Sequence, residues 1–585
     1  MMKRFVILTL IPLLLGFFVP QRSRAELVQQ KPEKRTSKST LRSDADLIQE
    51  NRKSIVHLVQ GFVETIASFN DVGVKSSALA RLADLLWKDE ESYARQLFER
   101  ALGFTSSNAS LSPKEIKELS FVRREIISVI ARRDSAWAKK LTEAGIENSD
   151  AERMETNFNV AYGLLDRDPG KVSDFAERSL GGGVHPGMFS LLNQLRLKDK
   201  PAANALFAAA LNRLGEEPYI DGNTFLMLGT YLFTSRRAEY LGSTGIAQIG
   251  VGDLLVPDIT ADRPDVPQQL VRQYLMTALT LIGRRVTQPT QQQLYYVIGY
   301  LLLPKAEKFA PELVGPLVSA MSSLVSSVPQ ELTDERTYQN FAIQPAKSVE
   351  DLFKEIERMP NERHRNERYL SIVFDLWLKG DYEQAKTAVA KITDTNAASQ
   401  LSTLIDFTQT TRLIETGKIS LSSAEVVANR LPSGVERSVL WLNIARGHAQ
   451  SGDAPQAKSA IYQALKSGQN ITDVSRPYFM LSAVNQLLVV DPAAAQPIFS
   501  EAIKAFNGLE KENLVKKPWQ RRIETGLGWR DFPLKTKAVV SSFDDVFPGL
   551  AKVNLEGSLA AINELADEKV RAEALTAMAS ALLKN

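Results

Sequence analysis

Residues 437–468 read RSVLWLNIARGHAQSGDAPQAKSAIYQALKSG. Two helix-like segments flank a short polar break at Gly452-Asp453, with small residues at Ala445, Ala457 and Ala464. Comparable breaks stand at Gly380-Asp381, Gly417-Lys418 and Val490-Asp491, so that successive breaks lie 37, 35 and 38 residues apart. A period in the mid-thirties is the length of one helix, a tight turn and a second helix stacked in series.

The break has its own chemistry. An Asp stands four residues before an Ala at Asp134/Ala138, Asp199/Ala203, Asp381/Ala385, Asp453/Ala457 and Asp491/Ala495. A carboxylate at the start of a helix accepts from free backbone N–H groups and suits the positive end of the helix dipole. The Ala one turn later lets a partner helix approach. Asp134, Asp199, Asp381, Asp453 and Asp491 therefore read as structural helix caps rather than catalytic acids.

The stretch 437–468 resembles a tetratricopeptide repeat, through Ala445, Gly452-Asp453, Ala457, Ile461 and Ala464. Residues 365–392 resemble it through Gly380-Asp381, Ala385 and Val389, with Val373 and Ile392 at two positions where that family prefers small residues. A weaker unit covers 476–507, and the terminal proline of the family pattern is absent from the two clear units. The resemblance implies a binding scaffold and carries over no ligand-reading residue.

Helical periodicity extends outward from these units over nearly everything after residue 45. The first stretch places Leu47, Ile55, Leu58, Val59, Phe62, Ile66 and Phe69 on one apolar stripe. The expected fold class is all-α, an α-solenoid of stacked helical hairpins. Residues 45–240 form its N-terminal helical-repeat region, 267–345 a middle helical region and 346–508 the clearest repeats. Residues 241–266 are rich in Gly, Pro and Asp and read as a boundary or long loop. The pattern breaks again over 509–550, and 509–585 is expected to be an irregular segment with a C-terminal helical cap, because a solenoid must cover its last apolar face.

The chain has 585 residues, 71 Lys and Arg against 68 Asp and Glu, and no cysteine. Zero cysteine excludes disulfides, thiolate metal sites and cysteine catalysis. A net charge of +3 over this length is too small to suggest a nucleic-acid partner. Residues 1–25 carry four of the cations and no acid, so their removal would take +3 to −1.

Those 25 residues have the layout of a secretory signal. Lys3 and Arg4 precede an apolar run from Phe5 to Val19, and Ser23-Arg24-Ala25 offers small residues for a cut after Ala25. The run is short of the roughly 20 residues that span a bilayer. With no twin-arginine pair near the start, the expectation is export by the general secretory route to a periplasmic or extracellular location. An uncleaved signal would instead anchor the chain. Residues 26–44 are polar and read as a flexible linker, and no transmembrane segment is expected in the mature chain.

Few catalytic constellations survive inspection. H-E-x-x-H, G-x-S-x-G, G-x-x-x-x-G-K-[ST] and S-x-x-K are all missing, so neither enzymatic activity nor a cofactor is expected. His57 and His448 read as packed or dipole-compensating residues. His364 and Glu367 stand one turn apart among Arg363, Arg365 and Arg368, which would repel a metal. Gly181-Gly182-Gly183 before His185 reads as helix punctuation. Asp166, Asp168 and Glu177 match a calcium loop only in part.

The strongest surface candidate is a basic and aromatic patch: Lys516, Lys517, Trp519, Arg521, Arg522, Trp529, Arg530, Phe532, Lys535 and Lys537. Residues 511–537 hold eight Lys or Arg and three acids. Cations interleaved with aromatics suit an acidic glycan, an anionic surface or a carboxylate-rich partner, or else the tryptophans pack inside while the charges face water. The leading expectation is a non-enzymatic scaffold binding a protein or peptide partner. The alternative is an envelope polysaccharide or peptidoglycan protein, which needs only two facing carboxylates to cut its substrate.

Overall fold

The computed structural model describes residues 44–106, 112–143, 149–217, 220–234, 248–251, 254–263, 265–284, 286–333, 348–514, 516, 518–525 and 528–584. The signal segment and all but the last residue of the expected linker lie outside them, and Asp44 already begins the helix Asp44–Ala67. A compact unit begins at Arg52.

The architecture is a helical repeat of the all-α solenoid class. Successive helices pair as antiparallel hairpins: Glu362–Lys379 with Tyr382–Val389, Thr395–Glu415 with Leu421–Arg430, Val435–Gln450 with Ala454–Gly468, and Ser475–Val490 with Pro492–Asn507. In each pair the small residue after the turn is buried, as at Ala385, Ala424, Ala457 and Ala495. A missing side chain there brings two helix backbones together, and the neighbouring Leu, Ile and Phe fill the space around them. Gly380 and Gly452 end their helices at positive φ, 76° and 83°, which an L side chain rarely adopts.

The aspartates at the breaks do not all act alike. Asp134, Asp199, Asp381 and Asp453 accept from the backbone N–H of Trp137, Ala202, Gln384 and Gln456 respectively, at 2.9–3.2 Å. Asp491 also stands at an N-cap, but its side chain makes no cap bond. It pairs instead with Lys458 of the preceding hairpin at 2.5 Å. There the carboxylate joins two repeats rather than closing one helix.

The last helix packs against early helices of the same unit. The helix Glu568–Lys584 packs on Val72–Leu86, which continues the packing into the N-terminal helices. Glu568 accepts from the backbone N–H of Asn70 at 3.0 Å and of Asp71 at 2.9 Å. The Arg571 guanidinium lies over the Phe69 ring, 5.4 Å from its centre. Arg52 donates to the Leu583 carbonyl and forms a two-bond pair with Asp89. The apolar face of the last helix is therefore covered by early helices of the same unit. Ala574, Met578 and Ala579 on the last helix are fully buried.

Short strands interrupt the helices in two places. Within the expected loop 241–266, β2 (Gln248–Val251) pairs antiparallel with β3 (Leu254–Pro257), while β1 (Phe233–Thr234) pairs with β4 (Ala261–Asp262). Within 509–550, β5 (Gln520–Thr525) and β6 (Gly528–Pro533) form a hairpin, with Gln520 opposite Pro533 and Thr525 opposite Gly528.

Candidate partner-binding groove

The hairpin belongs to a strap, residues 518–525 and 528–540, that crosses the first helices of the repeats. Arg530 donates to Ser371 on Glu362–Lys379 at 2.9 Å, and the Lys537 N–H donates to Glu415 on Thr395–Glu415 at 3.4 Å. On Val435–Gln450, Arg521 pairs with Glu436 and Asn443 donates to Thr536 at 3.2 Å. On Ser475–Val490, the Val540 N–H donates to Ser482 at 2.9 Å and Gln486 donates to the Ala538 carbonyl at 3.2 Å. Phe532 is buried, edge-on to Phe374 and Trp377.

This placement divides the basic and aromatic patch. Trp519 is only 2% exposed, and its indole N–H donates to the Val540 carbonyl at 2.9 Å. Its φ of 63° is uncommon for a bulky residue and is held by the packing around it. Burial disfavours the Arg521 charge, but the hydrogen bonds it donates to Glu436 outweigh this and hold its pKa above the ordinary value. Arg522 pairs with Asp531 and lies over the Trp529 ring at 4.0 Å. Trp529 is 51% exposed. Lys516 bonds to Asn513, Lys535 faces solvent, and Lys517 lies outside the described residues. The patch is thus largely a set of anchors, not one free surface.

Beside the strap lies a groove of ≈ 260 Å³, between the C-terminal turns of Val435–Gln450 and Ser475–Val490. Each helix gives it four residues from one face: Ala445, Arg446, Ala449 and Gln450 from the first, Asn485, Gln486, Val489 and Val490 from the second. The two quartets occupy equivalent positions, because both helices share one spacing of i, i+1, i+4 and i+5. Ile461 contributes from the second helix of the hairpin, while Lys537 and Ala538 of the strap form a wall.

The lining combines apolar side chains (Ala445, Ala449, Ile461, Val489, Val490 and Ala538) with two cations, Arg446 and Lys537. Val489 is 75% exposed, although it stands on an otherwise well-packed helix. No carboxylate pairs with the Arg446 guanidinium or the Lys537 ammonium among the described residues, and none lines the groove. The Oε1 of Gln486 is buried without a hydrogen-bond partner. Two cations in the same lining as apolar side chains can hold a carboxylate together with an adjacent apolar group.

A second groove, beside Gln268–Ile282, is lined by Gly215, Gln269, Arg272, Gln273, Met276, Thr277 and Thr280. Two of its polar groups are already engaged: Arg272 pairs with Glu312 at 2.5 Å and Gln273 donates to Asn212 at 2.7 Å.

Other sequence candidates are also engaged. His185 stacks on Phe158 and contacts Glu155 at 3.2 Å. Burial lowers its pKa more than Glu155 raises it. Asp166 pairs with Lys198 and Asp168 with Lys171. His364 is exposed on the helix that Asn361 caps. Among the described residues, no three His, Asp or Glu cluster as metal ligands, and no helix is long and apolar enough to cross a membrane.

Of the groove residues, sequence reading singled out only Lys537 by its charge. The matching quartets at 445–450 and 485–490 were the available signal for the rest.

No protein-family model matches the sequence, and no curated protein matches it. Among solved structures, the chain is similar to one described as a "Circular tandem repeat protein with novel repeat topology and enhanced subunit contact surfaces". That likeness has 12% identity, covers 91% of this chain and 96% of the other, and has a TM-score of 0.14. So shallow a likeness carries no argument about this chain.

Proposed function

We propose that this protein is an exported, non-enzymatic helical-repeat scaffold, tetratricopeptide-like over about 365–507, that binds a protein or peptide partner in the groove beside the strap. The observation that carries the reading is a lining that holds two cations without an ion-pair partner among the described residues, Arg446 and Lys537, beside apolar residues and no carboxylate. The preferred ligand is a peptide segment bearing a carboxylate next to an apolar side chain. A polysaccharide-cleaving site calls for two facing carboxylates, which this lining does not supply. Export rests on the charged, apolar and small-residue order of residues 1–25.

The test is titration of the mature protein with a panel of fluorescent acidic, neutral and basic peptides, followed by mass analysis of each peptide. The expected result is selective binding of acidic peptides, loss of binding in Arg446→Glu, and peptides recovered intact. Equal binding of all three classes, or cleavage of any peptide, contradicts the proposal. Recovery of a periplasmic form beginning at Glu26 would support export; an unprocessed cytoplasmic chain would overturn it.

A further inference from the structure

The strap does more than cover the first-helix face. It contributes Lys537 and Ala538 to the groove, so the groove has its full lining only when the strap is seated. Its seating depends on contacts elsewhere. Arg521 meets Glu436 at the opposite end of Val435–Gln450 from Arg446, and Arg530 meets Ser371 on another repeat. Thr536, next to Lys537, is held by Asn443 on the helix that presents Arg446.

We infer that strap seating and partner binding are coupled, with Arg521 and Glu436 as positioning residues that control the groove without touching its ligand. This inference rests on the proposed peptide-binding function. A ligand that contacts Lys537 binds the seated strap better than the released one, so it must stabilise seating. By thermodynamic reciprocity, loosening the strap must weaken the ligand. The strap is then a point of regulation: a competitor for Glu436, or a modification near Arg521, would release a partner bound at the far end of the helix.

The test uses the full mature chain and the best acidic peptide from the panel. Glu436→Gln should raise hydrogen exchange across 519–540 and weaken peptide binding about five-fold or more, the lower range of allosteric coupling. Saturating peptide should restore protection. Because the chain has no cysteine, Asn443→Cys with Thr536→Cys provides a clean lock across two side chains already in contact. Oxidation of that pair should recover the affinity lost in Glu436→Gln, and reduction should remove the recovery. A general loss of stability would not be reversed in this way.

Peptide affinity unchanged by Glu436→Gln despite faster strap exchange, or unrescued by the lock, overturns the coupling while leaving peptide binding intact. An unaltered protein that binds no acidic peptide overturns the proposed function and the coupling together.

Discussion

Arg521 donates through Nε and Nη2 to both carboxylate oxygens of Glu436, each at 2.7 Å. The two residues are 85 positions apart in sequence. The Glu436 side chain is only 8% exposed, so removing Arg521 strips a buried carboxylate of its charged partner. Arg521→Ala should cost about 2 kcal/mol, discounted from a fully buried pair because Arg521 remains 37% exposed. Urea unfolding of Arg521→Ala, Glu436→Ala and the double variant measures it. A coupling energy near zero in that cycle would make the pair incidental.

The junction of chain ends makes a second prediction. Glu568 satisfies the N–H groups of Asn70 and Asp71 just before Val72–Leu86. Glu568→Ala should cost about 1 kcal/mol, as for loss of a helix cap. Burial opposes the Glu568 carboxylate, but these hydrogen bonds win and hold its pKa below the usual range. Its contribution is present above the unfolded-state pKa and is lost as pH falls through the folded-state value. The gap between wild type and Glu568→Ala should therefore narrow in acid; a gap that widens in acid contradicts the assignment.

Glu573, on the same last helix, should behave oppositely. Burial raises its pKa, with Lys569 and Arg81 offsetting only part of the effect. Neighbouring Tyr478 is pushed up to about 12 by burial, with the Glu573 charge adding. Above the folded-state pKa the Glu573 charge is a liability, which disappears below the unfolded-state value of about 4.3. Glu573→Gln should raise stability at pH 7, with the advantage fading towards pH 4. Chemical unfolding across that range would show it, and a less stable variant at pH 7 would reverse the reading.

Two aspartates with the same sequence signature should respond differently. Asp453→Ala removes a cap bond to Gln456 and should cost about 1 kcal/mol. Asp491→Ala removes only a solvent-facing pair with Lys458, so its effect should be smaller and should shrink with added salt. Thermal unfolding at low and high ionic strength separates them. Equal, salt-independent losses would show that both act as caps.

These contrasts indicate how far local sequence reaches. Apolar periodicity identifies the helices, and the Gly-Asp breaks identify the hairpins, because both are set by residues within one or two turns. Asp453 and Asp491 share a spacing, yet the position of Lys458 gives them different work. The strap has no period to betray it: it finds its place through contacts on four helices, at Ser371, Glu415, Glu436 and Ser482. The bond from Glu568 to Asn70 spans 498 positions and leaves no local mark. Arg446 was one cation among many until folding put it in the same groove lining as Lys537, with no Asp or Glu in that lining.

The central claim is that the groove receives a carboxylate-bearing peptide. Hydrogen exchange of the mature protein, with and without the tightest acidic peptide, tests it most directly. Protection concentrated at 445–450, 485–490 and 537–538, and absent in Arg446→Glu, is the predicted result. Protection confined to the second helices of the repeats, or unchanged in Arg446→Glu, would contradict it.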